Sequence, residues 1–171
     1  LTPHTVTFNG ASTPLSIHAG RNEFCAQLDN GSAACWGQNA DGQFGLGNTT
    51  SQTSPIALTL PTGRTIASMS MAKDFICITL DNGSVVCAGR NTEYQIGQGT
   101  TSTAELSWKY VIGLDMVAHS VELGQDVGCA HLVNGSMACW GEDAWGLFGN
   151  STTSYTSVSY THLTLPTIQP V

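Results

Sequence analysis

FCAQLDNGSAACWGQNADGQFGLGN, residues 24–48, is the stretch on which the reading of the whole chain turns. Two short runs flank Asp29-Asn30-Gly31, and a glycine-rich loop follows. Asn-Gly between two such runs is the strongest short-range signal for a β-hairpin. With Asp29-Asn30-Gly31 as a three-residue loop, a type I turn ends on Gly31 in a left-handed bulge, which suits a residue without Cβ. Counting back from that loop opposes Leu28 to Ser32, Gln27 to Ala33, Ala26 to Ala34 and Cys25 to Cys35. Hydrogen-bonded and non-hydrogen-bonded pairs alternate along an antiparallel ladder. Closure at Leu28–Ser32 therefore puts Cys25–Cys35 on a non-hydrogen-bonded pair, where Cα atoms about 4.5 Å apart can carry a disulfide. A two-residue turn at Asn30-Gly31 would face Cys25 with Trp36 and separate the sulfurs. The three-residue loop accounts for both cysteines.

The pattern occurs three times at a constant step of 52 residues. Cys25, Cys77 and Cys129 are in phase, as are Cys35, Cys87 and Cys139, the Asn-Gly pairs at 30, 82 and 134, and Gly37, Gly89 and Gly141. A fixed period of this length marks a repeat architecture. Six cysteines permit many pairings, and the repeat makes the local set the simplest: Cys25–Cys35, Cys77–Cys87 and Cys129–Cys139. Ahead of each hairpin lies a short segment, LSIHAG at 15–20, ASMSMA at 67–72 and HSVELG at 119–124. In the first of these Leu15, Ile17 and Ala19 share one face, the period-two pattern of a strand. A tight turn links each segment to its hairpin and carries Asn22, Asp74 or Asp126. Turn residues of this kind bond their own backbone, which explains them without a catalytic role. After the loop, IALTL at 56–60 reads as a fourth strand and Pro61-Thr62-Gly63 as a turn.

The expected fold class is therefore all-β, about three four-stranded antiparallel units with hairpin disulfides. The units span residues 15–66, 67–118 and 119–171, with residues 1–14 as the outer end of a preceding unit. One such unit cannot bury both faces; stacked neighbours can. The third unit is irregular. GLFGNSTT at 146–153 is shorter by one glycine than GQFGLGNTT, and LTLPT at 163–167 repeats LTLPT at 58–62 out of phase. The chain begins in mid-pattern and reads as a segment of a longer one.

Composition narrows the function classes. The 171 residues include 19 Gly and only 10% charged residues, which suits a β protein with many tight turns. Net charge is −7 with five Lys plus Arg, so the clustered cations needed for phosphate backbones or anionic membrane surfaces are missing. No apolar run is long enough for a spanning helix. Paired cysteines point to an oxidising compartment: secreted, periplasmic or cell-surface.

WGQNADGQFGLGN at 36–48 closely resembles the signature of the regulator of chromosome condensation repeat family in its bacterial and archaeal β-propeller form. The family pattern is a hairpin with an acidic-or-Asn/Gly turn, then Trp-Gly-x-Asn-x-x-Gly-Gln-apolar-Gly. The second copy departs at Ala88 and Tyr94, where the pattern has Trp and Gly, and keeps Asn91, Gln95, Ile96 and Gly97. The third keeps Trp140-Gly141, Gly146, Phe148 and Gly149 and departs at Glu142, Asp143 and Leu147. The resemblance implies a propeller of seven blades. Three blades form an open arc, since propellers close with about four to eight, so the remaining blades of a longer chain are an expected partner. Family members drive nucleotide exchange on a nuclear GTPase or inhibit β-lactamases. Neither activity maps onto residues here.

The C-x9-C spacing and scattered His argue for disulfides over zinc. No nucleophile elbow, phosphate loop or metalloprotease motif is present, and no cofactor is implied. Trp36 and Trp140 are expected to pack between blades. Tyr94, Trp108, Tyr110 and Trp145 are the candidate ligand-contact aromatics, because amphipathic rings are favoured at interfaces. Asn30, Asn82 and Asn134, with Asn48 and Asn150, stand in glycosylation sequons. The expected function is a non-catalytic module that binds another protein through its blade loops, with a carbohydrate-binding or adhesion module as the alternative.

Overall fold

The computed structural model describes residues 2–8, 10 and 12–149. The repeat at 163–167 and the Asn150 sequon lie outside them. Eleven strands form three antiparallel sheets among these residues. The first holds β1 (Pro14–Ala19), β2 (Glu23–Leu28), β3 (Ala33–Gly37) and β4 (Gln52–Ala57), in that order. The second holds β5 (Ile66–Met71), β6 (Phe75–Leu80), β7 (Val85–Asn91) and β8 (Ser102–Tyr110). The third holds β9 (Ala118–Leu123), β10 (Val127–Leu132) and β11 (Met137–Gly141).

Turn chemistry sets the register of every hairpin. In the first, the Leu28 N–H donates to Ser32 O at 2.8 Å and the Gly31 N–H to Leu28 O at 3.0 Å. Gly31 has φ +77°, the left-handed value a bulge of this type requires. Asn30 Oδ1 accepts from the Ser32 N–H at 3.0 Å and the Ser32 hydroxyl at 2.6 Å, closing an Asx turn. Cys25 then faces Cys35, Cys77 faces Cys87, and Cys129 faces Cys139. All three disulfides form, with Cα atoms 4.1, 4.1 and 4.0 Å apart.

The fourth strand differs from the expectation. It runs Gln52–Ala57, not 56–60. The glycine-rich loop ends at Thr50, where a buried Asn39 side chain holds the loop carbonyls, so pairing with β3 begins at once. Pro55 is tolerated because β4 is an edge strand whose N–H groups need no further partner.

Two cores lie between the sheets. Ile76, Ile78, Val86 and Met69 of the second sheet pack with Cys25, Cys35, Ala33 and Phe44 of the first. The opposite face of the second sheet, with Phe75, Cys77, Val85 and Cys87, packs with Val121, Ala130, Ala138 and Trp140 of the third. The middle sheet is thus buried on both faces, and β6 is buried at every position. The innermost strands also touch across the seam: the Val121 and Leu123 N–H groups donate to the hydroxyls of Ser68 and Ser70 at 3.3 and 3.1 Å.

Candidate functional site: the loops at the blade seams

Each glycine-rich loop is pinned by one buried side chain, an amide in the first two and a carboxylate in the third. Asn39 is fully buried. Its Nδ2 donates to Asn48 O at 3.0 Å and Thr50 O at 3.3 Å, while Oδ1 accepts from the Phe44 N–H at 2.9 Å. Asn91 repeats this on Thr100 O, the Ser102 hydroxyl and the Ile96 N–H. An amide suits the position because it donates and accepts at once. Asp143 holds the third loop by accepting from the Phe148 N–H at 3.1 Å. Asn39→Ala removes three buried hydrogen bonds and orphans the Phe44 N–H. It is expected to destabilise the protein by about 2–3 kcal/mol, read from the shift in urea midpoint.

The pinned loop reaches the next sheet. At the second seam the Trp140 indole N–H donates to Gln95 O at 2.8 Å, and Gln95 Nε2 donates to Asp126 Oδ1 at 3.0 Å. Gly97 lets the indole approach: a Cβ there would stand 3.2 Å from Trp140 Cδ1. At the first seam the residue in phase with Trp140 is Ala88, which leaves a gap. Trp108, from β8, supplies the ring instead. It sits over Gly45, the counterpart of Gly97, with Cε2 2.4 Å from where a Cβ on Gly45 would be. The main chain follows it, since the Gly47 N–H donates to Leu106 O at 2.8 Å and Leu46 bridges to Ser107.

A charged cluster also lines the first seam. Glu23 is 1% exposed, at a position where the other copies carry Phe75 and Val127. Its Oε2 accepts from the Asn22 N–H at 2.8 Å, whereas Oε1 is buried without a partner. Asp74, across the seam, is bracketed by Lys73 and Arg90, each at 3.7 Å. Burial pushes the Glu23 carboxyl above its ordinary 4.5, the Asn22 N–H working against it and the Asp74 charge with it. Burial, then Asp74, raises Asp41 as well. A carboxyl raised in the folded state adds stability that is full below the unfolded value and is lost as pH rises through the folded one. Glu23→Gln is therefore expected to flatten the decline in urea midpoint as pH rises above that ordinary value and, with no buried charge left without a partner, to leave the protein about 1–3 kcal/mol more stable at neutral pH.

The four aromatics read from the sequence do not share one surface. Tyr94 stands in the second loop with φ +63°, where the first and third copies have glycine. Trp145, in the third loop, is 86% exposed, with Leu147 beside it at 59%. Trp108 is packed as described, and Tyr110 lies beside the Asn82–Ser84 hairpin tip. Glu23 is not among the residues the motifs single out; its signal in the sequence is a carboxylate where the other copies are apolar. Around the inner turns of all three sheets, Gly20, Ala72 and Gly124 with Arg21, Lys73 and Gln125 line an open hollow of about 660 Å³. Among the described residues no group of three His, Cys, Asp or Glu side chains is placed to hold a metal ion.

Antiparallel sheets stacked face to face about their innermost strands, with an ordered loop reaching the next sheet at each seam, are blades of a β-propeller. Residues 30–78 match the model of the Regulator of chromosome condensation (RCC1) repeat, and the blades have the fold of RCC1-like propellers. The chain is similar to Prp20p from Saccharomyces cerevisiae at 19% identity and TM-score 0.76, over 86% of this chain and 38% of that one. Against human WBSCR16 the identity is 19% and the TM-score 0.77, over 92% and 39%. Against the complex of Kap60 with yeast RCC1 (Prp20) they are 21% and 0.72, over 90% and 38%. The chain thus spans well under half the length of these structures.

Proposed function

We propose that the chain is a non-catalytic protein-interaction module of a secreted or cell-surface protein, gripping its partner with the loops of successive blades. The observation that carries this reading is the character of those loops. Tyr94 holds a left-handed backbone that disfavours side chains, and Trp145 and Leu147 are displayed to solvent on a loop pinned from within. Non-glycine residues in that conformation cluster where binding needs them. Large exposed rings on rigid loops are the anchors protein interfaces use. Prp20p binds Gsp1p and histones, and yeast RCC1 (Prp20) was solved bound to Kap60; this fold presents protein-binding surfaces there. Three disulfides support an oxidising compartment.

The test is a screen of the oxidised chain against a displayed library of extracellular proteins. Binding that falls about tenfold or more with Tyr94→Gly or Trp145→Ala supports the reading. The absence of any protein binder, or binders indifferent to both changes, overturns it. The ring of Trp145 also suits stacking on a sugar, so a glycan array is the second arm. A glycan signal abolished by Trp145→Ala, and kept in Trp108→Ala, would put carbohydrate in place of protein.

A further inference from the structure

We propose that the hollow beside the connector between the second and third blades is a docking site for a basic and apolar segment of a partner protein, one that sets an aliphatic or aromatic side chain next to a lysine or arginine. None of the residues lining it belongs to a glycine-rich loop, so it is a second surface beside the one those loops form.

The two connectors supply the comparison. Each leaves the outer strand of one blade and crosses to the inner strand of the next. The same backbone hydrogen bonds hold both. At the first seam the Ile66 N–H donates to Gly31 O and the Asp81 N–H to Thr65 O; at the second the Ala118 N–H donates to Gly83 O and the Val133 N–H to Val117 O. These bonds match Arg64 with Met116, Thr65 with Val117 and Asp81 with Val133. Strand register matches Ala57 with Tyr110, since Ala57 faces Ala34 where Tyr110 faces Val86.

At the first seam the four positions are polar or small and exposed, and Arg64 Nη1 lies 3.6 Å from Asp81 Oδ1. At the second, Tyr110, Met116, Val117 and Val133 are 43%, 40%, 50% and 57% exposed. An ion pair in water has given way to an apolar patch, with both of its halves changed together. Large apolar side chains grouped in water mark an interaction site in a way that single ones do not. The first seam has a four-stranded sheet on either side, and Arg64 and Asp81 are still 43% and 44% exposed there. The position is thus open at a seam whose sheets are both complete.

The hollow holds about 320 Å³ and is lined by Asn82, Ser84, Tyr110, Asp115, Met116 and Val117 among others. That volume is at the low end for ligand pockets and suits about one or two side chains of a docked segment. Its wall is preformed, because Val117 packs onto Gly83, where a Cβ would collide with Val117 Cγ1. Little ordering is therefore needed on binding. Asp115 sets the charge of the occupant. It is exposed and has no ion pair among the described residues. No Lys or Arg lines the hollow, and Lys109 is paired with Glu105 at 3.6 Å. A cation beside the apolar side chain answers Asp115. An anionic membrane would be repelled by it, and a second copy pairing through the same patch would bring two Asp115 carboxylates together.

The test screens a displayed library of random peptides against the oxidised chain. Selected peptides are expected to place an aliphatic or aromatic residue next to Lys or Arg. Their affinity should fall about tenfold or more when Met116→Arg and Val133→Asp are combined. That double change installs the ion pair of the first seam, and far-UV circular dichroism and disulfide mapping check that the fold is kept. Asp115→Asn should weaken binding and remove most of its salt dependence. Tyr94→Gly and Trp145→Ala should leave it unchanged, which separates this site from the loops. The proposal is overturned if no peptide binds, if the binders lack a basic residue, or if they are indifferent to the double change or to Asp115→Asn. It is also overturned if the patch instead drives self-association at sedimentation equilibrium, or binding to vesicles of phosphatidylcholine and phosphatidylserine, with either lost in the double variant.

Discussion

Trp140→Ala is expected to cost about 4–5 kcal/mol, seen as a lower urea midpoint with near-UV circular dichroism signal lost from the second seam. The ring is 1% exposed and sits among Phe75, Ile96, Val111 and Ala130, so alanine leaves a cavity the surrounding sheets cannot close. Its indole N–H also ties the ring to the loop, donating to Gln95 O at 2.8 Å. The carbonyl left behind is buried, which adds desolvation to the cavity term. Trp36→Ala, the same change at the same step of the repeat, is expected to cost only about 1 kcal/mol, because that ring is only half-buried against Ala26, Leu28, Ala34 and Phe8. The contrast between the two tests whether the seam, rather than the hairpin, gives the tryptophan its weight.

The second large effect is at a glycine. Gly89 has φ +115°, and a Cβ there would stand 2.4 Å from Asp74 O and 2.7 Å from Phe75 Cα. Both are main-chain atoms of the neighbouring strand, so no rotamer change relieves the overlap. Gly89→Ala is expected to destabilise by about 4 kcal/mol or more, combining backbone strain with overpacking. Gly99→Ala is the control. Its φ is +70°, but the nearest atom is Ile112 Cδ1 at 3.7 Å, so about 1 kcal/mol of conformational cost is all that applies. Thermal midpoints of the two variants would separate strain from collision.

The parts of this fold legible in the sequence are those fixed within a dozen residues. The hairpin register follows from the Asp29-Asn30-Gly31 loop alone, and with it the cysteine pairing, because side-chain count and turn type determine which residues face. The seams were legible only in part. Trp140 lies between blades, as its place in the repeat indicated. The entry of Trp108 into the space left by Ala88 was not foreseeable, because no local rule links two residues on different strands of an irregular outer edge. For the same reason Trp108 reads as a loop aromatic in the sequence and is a packed side chain in the fold. The start of β4 is not legible locally, because Asn39 ends the loop from eleven residues away through its side chain. The exposure of Trp145 and the left-handed Tyr94 depend on loop geometry that composition does not encode.

Each cysteine finds its mate ten positions along the chain, and no sulfur bridge crosses from one sheet to another. Oxidation therefore needs no sorting among distant candidates. As the polypeptide emerges during synthesis, one clasp can shut before the next pair of thiols appears, and mispaired isomers are outcompeted by sheer proximity. Covalent bonds stiffen each sheet separately, and the joints between sheets rest on packing and hydrogen bonds alone. Pulling on such an arc should peel it apart sheet by sheet while every clasp stays closed.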